Sequence, residues 1–393
     1  MFKFLIAYNI EELKKRKILS EAKNLYKSNI ISKEQWLKIN EEYSSKLYTP
    51  SIFIKILLFI VAYIGMCTVI GPLYLAFSGL DILGYQITSL ITGFVFLFIT
   101  EKILIKDSFH YKSGLTEAGI YAGLSFISFG LLGSGPNMEI VYPLVLFFLS
   151  VFATVRYLNL VALLLSVVFF SWILLEIFMN IGGYGEALIP FIFMTSFGLI
   201  FFYGKKLETK LNNIIFDDLF TLFKTISLIM FYGSVNYYVV RELSIELMGL
   251  SLANGKDIPL AFIFYLLTIL IPLGYIYWGV KQRSILFIRI GLLVAALSVI
   301  TFKYYFSLGA PIITITLSGG ILIIISLLFF NYLKKYRFGF TEKKLLHDKW
   351  NSQDLAAVIA SQTAGGNKFN ELENSENIFK EGEFGGGGSG SDW

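Results

Sequence analysis

The stretch Leu158-Asn-Leu-Val-Ala-Leu-Leu-Leu-Ser-Val-Val-Phe-Phe-Ser-Trp-Ile-Leu-Leu-Glu-Ile-Phe-Met179 carries one charged side chain, Glu176, near its end. A helix of about 20 residues crosses the ~30 Å hydrocarbon layer of a bilayer, so this segment is long and apolar enough to span one. It lacks the alternation of apolar and polar residues that marks a membrane barrel. A lipid-exposed backbone must satisfy its own hydrogen bonds, which leaves the α-helix.

The same reading extends in both directions. Comparable runs lie at 51–77, 83–100, 114–133, 139–156, 187–204, 219–240, 258–280, 285–306 and 311–333. Together they predict an all-α, polytopic transmembrane helix bundle of about ten spans. The run 83–100 is among the shortest, and Arg156 alone marks the split between the fourth and fifth. Composition agrees: 55% of residues are hydrophobic and 16% charged, where a soluble domain carries roughly 25% charged residues. Mean hydropathy is +0.67.

Basic residues set the sidedness. The N-terminal segment, 101–113, 156–157, 205–218, 281–284 and the tail hold 27 of the 33 Lys and Arg. The opposite loops hold Arg241 and Lys256, and four more, Lys55, Lys224, Arg289 and Lys303, lie inside the runs. Positive loops stay in the cytoplasm, so both termini are expected on the cytoplasmic side. The net charge of +5 is then a topology signal, and no nucleic-acid partner is implied. Aromatics fit this frame as interfacial belts: Tyr142, Trp172, Tyr184, Tyr237 and Tyr238 at outer ends, Tyr157, Tyr203, Tyr277 and Trp278 at inner ones.

Four regions result. Residues 1–49 read as a cytoplasmic helical segment with short helices near 10–18, 20–28 and 33–46. Asn9 with Glu12, and Ser32 with Gln35, have capping-box spacing. Pro50 opens the bundle, 50–333, where its missing N–H costs nothing. A juxtamembrane segment, 334–361, begins with the basic Lys334-Lys335-Tyr336-Arg337 and includes a short helix at 352–361. Residues 362–393 are Asn-, Glu- and Gly-rich, too poor in apolar side chains to order themselves, and read as a disordered tail.

Ionisable residues within membrane runs are functional candidates, because burying charge in hydrocarbon is costly. Glu117, Lys224 and Arg289 sit near inner ends, and Glu139, Glu176 and Glu186 near outer ends. These six form the candidate ligand or transport set. All lie within about two turns of an end, where long side chains can reach the headgroups. Glu139-Ile-Val-Tyr-Pro143 and Glu186-Ala-Leu-Ile-Pro190 share a pattern. A carboxylate opposing the helix dipole beside a first-turn proline accounts for it; an outward cavity lined by Glu139, Glu186 and Glu176 is the sharper reading. Gly119-Ile-Tyr-Ala-Gly123, and Gly291 with Ala295 and Ser298, are small-residue stripes for close helix packing. Gly71-Pro72 and Pro272-Leu-Gly274 are expected kinks.

Catalysis finds no support. Cys67 is the single cysteine, and His110 and His347 are far apart, so cysteine- and histidine-based metal sites are not expected. Nucleophile, zinc-protease, phosphate-loop and dinucleotide signatures are absent. No catalytic residue, metal or cofactor is assigned.

Residues 20–47, above all Ile30-Ile31-Ser32-Lys33-Glu34-Gln35-Trp36-Leu37-Lys38-Ile39, resemble the opening of a family of bacterial membrane proteins classed as domain of unknown function 2157. Those proteins begin with a short "Ile-Ser-x-Glu-Gln" helical segment followed by a multi-helix membrane region. The resemblance implies an inner-membrane protein and carries no activity with it. The expected role is non-enzymatic, scaffolding or sensing through the cytoplasmic ends, with the bilayer and a cytoplasmic protein as partners. The other reading is a transporter or translocator of lipids or small molecules.

Overall fold

The computed structural model describes residues 5–28, 30–76, 82–133, 140–182, 184–211, 213–246 and 257–305, with Gly320 and Ile324. Among the described residues there is no strand, only a parallel bridge between Tyr48 and His110. Two helices precede the apolar region, α1 (Ile10–Lys27) and α2 (Lys33–Glu42). Then come α3 (Ile52–Ala76), α4 (Ile82–Ile99), α5 (Leu115–Leu132), α6 (Val141–Tyr157) and α7 (Leu160–Ile181). They are followed by α8 (Tyr184–Leu211), α9 (Asp217–Gly233), α10 (Tyr237–Glu246), α11 (Ala261–Gln282) and α12 (Ile285–Tyr305).

Six helical segments among the described residues are long and apolar enough to cross a membrane: Ile82–Asp107, Leu115–Leu132, Leu160–Ile181, Leu188–Leu211, Ala261–Gln282 and Ile285–Tyr305. Ile52–Met66 and Val141–Tyr157 are shorter apolar helices. The outward faces suit lipid, with Phe262 75% and Phe202 69% exposed. The run 311–333 and the segments 334–361 and 362–393 lie outside the described residues, apart from helical Gly320 and Ile324.

Four sequence expectations are corrected. The segment 10–27 is one helix, because the Ser20 hydroxyl donates back to the Lys17 carbonyl at 2.8 Å and caps no new start. The helix expected at 33–46 ends at Glu42, with Tyr43 as its C-cap. The run 83–100 continues as a π-helical segment, Thr100–Asp107, so Glu101 belongs to the helix and not to a loop. The run 219–240 is no single span: α9 stops at Gly233 and α10 starts at Tyr237.

Consecutive helices pack as pairs, α4 with α5, α6 with α7, α8 with α9 and α11 with α12. Small residues allow the approach, as the stripes predicted. A Cβ on Gly93 would lie 2.7 Å from the Gly123 carbonyl oxygen, and one on Gly123 would lie 2.8 Å from the Leu97 side chain. Gly291 is seated in the same way against Ile276 of α11. Pro72 and Pro272 both lie inside continuous helices. The split at Arg156 is real: α6 ends at Tyr157, Leu158 turns left-handed (φ 51°), and the Asn159 side chain accepts from the Ala162 amide to start α7.

One core cluster ties the N-terminal segment to the bundle. Ile6, Ala7, Tyr8 and Leu13 are buried with Leu97 and Ile105, Ile120 and Ile127 of α5, Ala153 and Tyr157 of α6, and Phe216. The amide of Ala7 donates to the Arg156 carbonyl at 2.9 Å. Helix α2, by contrast, buries none of its residues.

Candidate functional site at the base of the bundle

Polar side chains gather where α4 and α6 finish and α3, α5 and α7 begin. The Arg156 guanidinium grips Glu101 from two sides, Nε to Oε1 at 2.8 Å and Nη2 to Oε2 at 2.6 Å. The Tyr157 hydroxyl donates to the same carboxylate at 2.9 Å. Both ionised groups are largely shielded, with side chains 24% and 18% exposed. Planar guanidinium–carboxylate pairing of this kind is the strong, orienting form of ion pair.

The N-terminal segment closes over this end. Asn9 caps α1 by accepting from the Glu11 amide at 2.9 Å and the Glu12 amide at 3.4 Å. The expected reciprocal bond from Glu12 does not form. Its carboxylate accepts instead from the Lys46 amide at 2.7 Å, the Ser45 hydroxyl at 3.2 Å and the Lys15 ammonium at 3.3 Å. The Lys46 amide, followed by Lys15 and Ser45, holds the Glu12 carboxyl below its ordinary range against the opposing effect of burial. The Ser32–Gln35 box forms in full, at 3.2 and 2.9 Å.

Tyr111 is the centre of a second group. Tyr8 packs edge-on against it with ring centroids 5.0 Å apart. The Arg16 guanidinium lies 4.8 Å and the Lys112 ammonium 5.4 Å from its ring centroid, within cation–π range. Arg16 donates to the Thr49 hydroxyl, which donates to the Tyr111 carbonyl at 3.2 Å. Burial pushes the Tyr111 phenol up to about 12 and the Tyr8 phenol well above its usual value. Burial likewise holds Lys112 and Arg16 below theirs. Phe109 (φ 54°), Lys112 (φ 47°) and Gly114 (φ 88°) give the loop three left-handed residues, a density that marks sites where tertiary contacts over-determine the backbone.

A groove of about 620 Å³ is lined by Ile6–Glu11 and Lys14 of the N-terminal segment together with Lys106 and Arg156. Its size is in the range of small-molecule sites. Arg156 is already committed to Glu101, so Lys14 and Lys106 supply its cationic character.

A separate polar knot marks the α9–α10 break. Asn236, 3% exposed, donates to the Tyr232 hydroxyl at 2.8 Å and to the Thr301 hydroxyl at 3.1 Å. The Tyr237 amide donates to the Thr268 hydroxyl at 2.9 Å. Asp257 accepts from the Tyr237 and Tyr265 hydroxyls, both at 2.7 Å. Burial raises the Asp257 carboxyl, yet the bonds from Tyr265, Tyr237 and the Ile258 amide outweigh it and leave it below its usual value. Irregular backbone at membrane depth survives where its polar groups are satisfied internally, and these bonds do that.

The six sequence candidates do not assemble. Glu117 accepts from the Gly114 amide at 2.8 Å and the Thr116 hydroxyl at 2.9 Å, the role of a helix-start carboxylate. Lys224 is paired with Glu208, its ammonium 2.7 Å from each carboxylate oxygen. Glu176 is half-buried on α7, and Arg289 is exposed on α12. Glu186 lies in the first turn of α8, and Glu139 falls outside the described residues. Tyr157 and Tyr237, expected in lipid-facing belts, are 1% and 3% exposed and serve the polar groups above. Tyr203, Tyr277, Trp278 and Trp172 are exposed.

Sequence reading missed Glu101, Arg156 with Tyr157, and Asn236. Glu101 and Arg156 were within reach of it, as opposite charges closing two runs that end on the same side. Compared with known proteins, the chain matches no family model, no curated protein and no solved structure.

Proposed function

We propose that the chain is a non-enzymatic, multi-span protein of a bacterial inner membrane, with both termini in the cytoplasm, that docks a cytoplasmic protein on its N-terminal helices. The observation that carries this reading is the contrast between α1 and α2. Helix α1 shares a core with the bundle, whereas α2 is fully capped yet buries nothing, and Leu37 on it and Ile30 just before its cap are exposed. A helix of ten residues has little stability in water without tertiary burial, so a partner covering this face would complete it. The stacked rings of Tyr26 and Trp36, 5.6 Å apart, tether α2 to α1, and α1 would relay occupancy into the spanning helices. The distribution of Lys and Arg supports the sidedness, and the resemblance of residues 20–47 supports the membrane class.

The test pairs topology with capture. In a Cys67→Ser background, Lys27→Cys should react with a membrane-impermeant maleimide only after lysis, and Glu246→Cys in intact cells. Photo-crosslinkers at Ile30 and Leu37 should trap a cytoplasmic protein that one at Phe262 does not. The reverse labelling pattern, or no adduct specific to α2, ends this reading.

A transporter is the second reading, favoured by the buried break at Asn236, since discontinuous helices frame transport sites. Reconstituted vesicles with solute flux abolished by Asn236→Leu would select it.

A further inference from the structure

The base of the bundle holds more positive charge than it neutralises. Arg16 on α1 and Lys112 in the loop before α5 both lie against the Tyr111 ring, and Lys55, in the first turn of α3, has its carbonyl packed on Gly114 of the same loop and feels the charges of Arg16 and Lys112. All three are half-buried rather than free in water. Two carboxylates act on them, Glu117 on Lys55 and Lys112, and Asp218 on Lys112. Both are committed elsewhere. Glu117 is bonded to its own helix start, and Asp218 lies 3.3 Å from the Lys17 ammonium. Among the described residues, neither Lys55 nor Lys112 has a carboxylate oxygen within 4.0 Å.

Three like charges drawn together and partly desolvated raise the free energy of the fold. Lys55 lies at the start of an apolar helix, where no packing contact calls for a cation, and Lys112 meets the Tyr111 ring from a left-handed loop position that offers its charge no carboxylate. The arrangement makes sense with a counter-ion. Arg16 brings planar, multi-donor geometry, Lys55 and Lys112 bring point charges, and Thr49 and Tyr111 bring polar edges, which together suit a phosphate. The level matters too. Lys55 and Glu117 open two helices at the same end of the bundle, where headgroups would lie, and basic pockets at such a level take anionic headgroups.

We propose that Arg16, Lys55 and Lys112 form a binding site for a phosphate-bearing anion at the base of the bundle. The bound anion bridges α1 to α3 and to the loop before α5, and so fastens the N-terminal segment to the spanning helices. The site is independent of what docks on α2, and the two fail separately.

The test is thermal unfolding of the full chain in a non-ionic detergent, with dioctanoyl phosphatidylglycerol, dioctanoyl phosphatidylcholine, or sodium phosphate against sodium chloride at equal ionic strength. Phosphatidylglycerol should raise the midpoint, and phosphatidylcholine and chloride should not. Lys55→Gln and Lys112→Gln should each raise the half-saturating concentration about fivefold, the equivalent of ~1 kcal/mol per basic contact. Lys112→Arg should retain binding, and Lys14→Gln, in the neighbouring groove, should leave it unchanged. Inorganic phosphate acting with the same dependence on Lys55 and Lys112 would uphold the site and identify a soluble anion as its source. An anion effect indifferent to both lysines, or none with any anion on the unaltered chain, overturns the proposal.

Discussion

Arg156 and Glu101 are 55 residues apart in the chain and meet in two parallel hydrogen bonds, at 2.8 and 2.6 Å. The pair joins the π-helical end of α4 to the last turn of α6, and Tyr157 completes it from the same turn. Because Arg156 also accepts the Ala7 amide through its carbonyl, the contact orders the floor on which the N-terminal segment rests.

Removing one partner leaves the other half-buried without its opposite charge. Glu101→Gln or Arg156→Ala should each cost about 2–4 kcal/mol, and the double change should cost clearly less than their sum. Thermal unfolding in detergent of the two single variants and the double checks this.

Gly114 combines a left-handed φ of 88° with a backbone that approaches Lys55 so closely that a Cβ would fall 2.0 Å from its carbonyl oxygen. Gly114→Ala must strain the loop or push α3 away from α5. A loss of ~2 kcal/mol or more is expected, read as a lower unfolding midpoint; Gly182→Ala, also left-handed but with open space around it, should cost less.

Glu12 supplies a pH dependence of known sign. Its carboxyl is held below its ordinary value of 4.5, chiefly by the Lys46 amide. Its contribution is therefore complete above that value and is lost as pH falls through the lower, folded-state value. Hydrogen-exchange protection of the Lys46 amide should collapse in acid below about pH 4.5 and should already be weak near neutrality in Glu12→Gln.

Lys224 and Glu208 link α9 to the end of α8, with the ammonium 2.7 Å from both oxygens. Lys224→Gln should lower stability by about 1–2 kcal/mol, and the swap Lys224→Glu with Glu208→Lys should recover part of it, which unfolding midpoints will show.

Asn236 holds the helix break together through Tyr232, Thr301 and the Val239 amide. Asn236→Leu loses all three and should cost ~2–3 kcal/mol, with increased exchange at the Tyr237–Val240 amides.

Local features were legible because their physics is local. Ser32 and Gln35 cap each other three residues apart; the long apolar run at 158–179 became α7 nearly in place; and the small residues of α4 and α5 interlock as their spacing requires. Where a tertiary partner competed, local reading failed. Glu12 has the right spacing for Asn9 but turns to the Lys46 amide, 34 residues away. The break at Asn236 was hidden because Ser234 and Asn236 are uncharged and stand in a run that is apolar on average. Its stability comes from Thr268 and Thr301 on two other helices.

The sequence by itself determined the chain's class of structure: apolar runs of spanning length, local helix caps such as Ser32–Gln35, and the uneven placement of Lys and Arg. Each depends on neighbours within a few turns. Only the tertiary structure decided which charges meet, that Glu101 takes Arg156, that Glu117 serves its own helix, and that Arg16 and Lys112 meet at the Tyr111 ring. Those outcomes depend on which helix ends share a level, and hydrophobicity along one chain does not encode the distances between them.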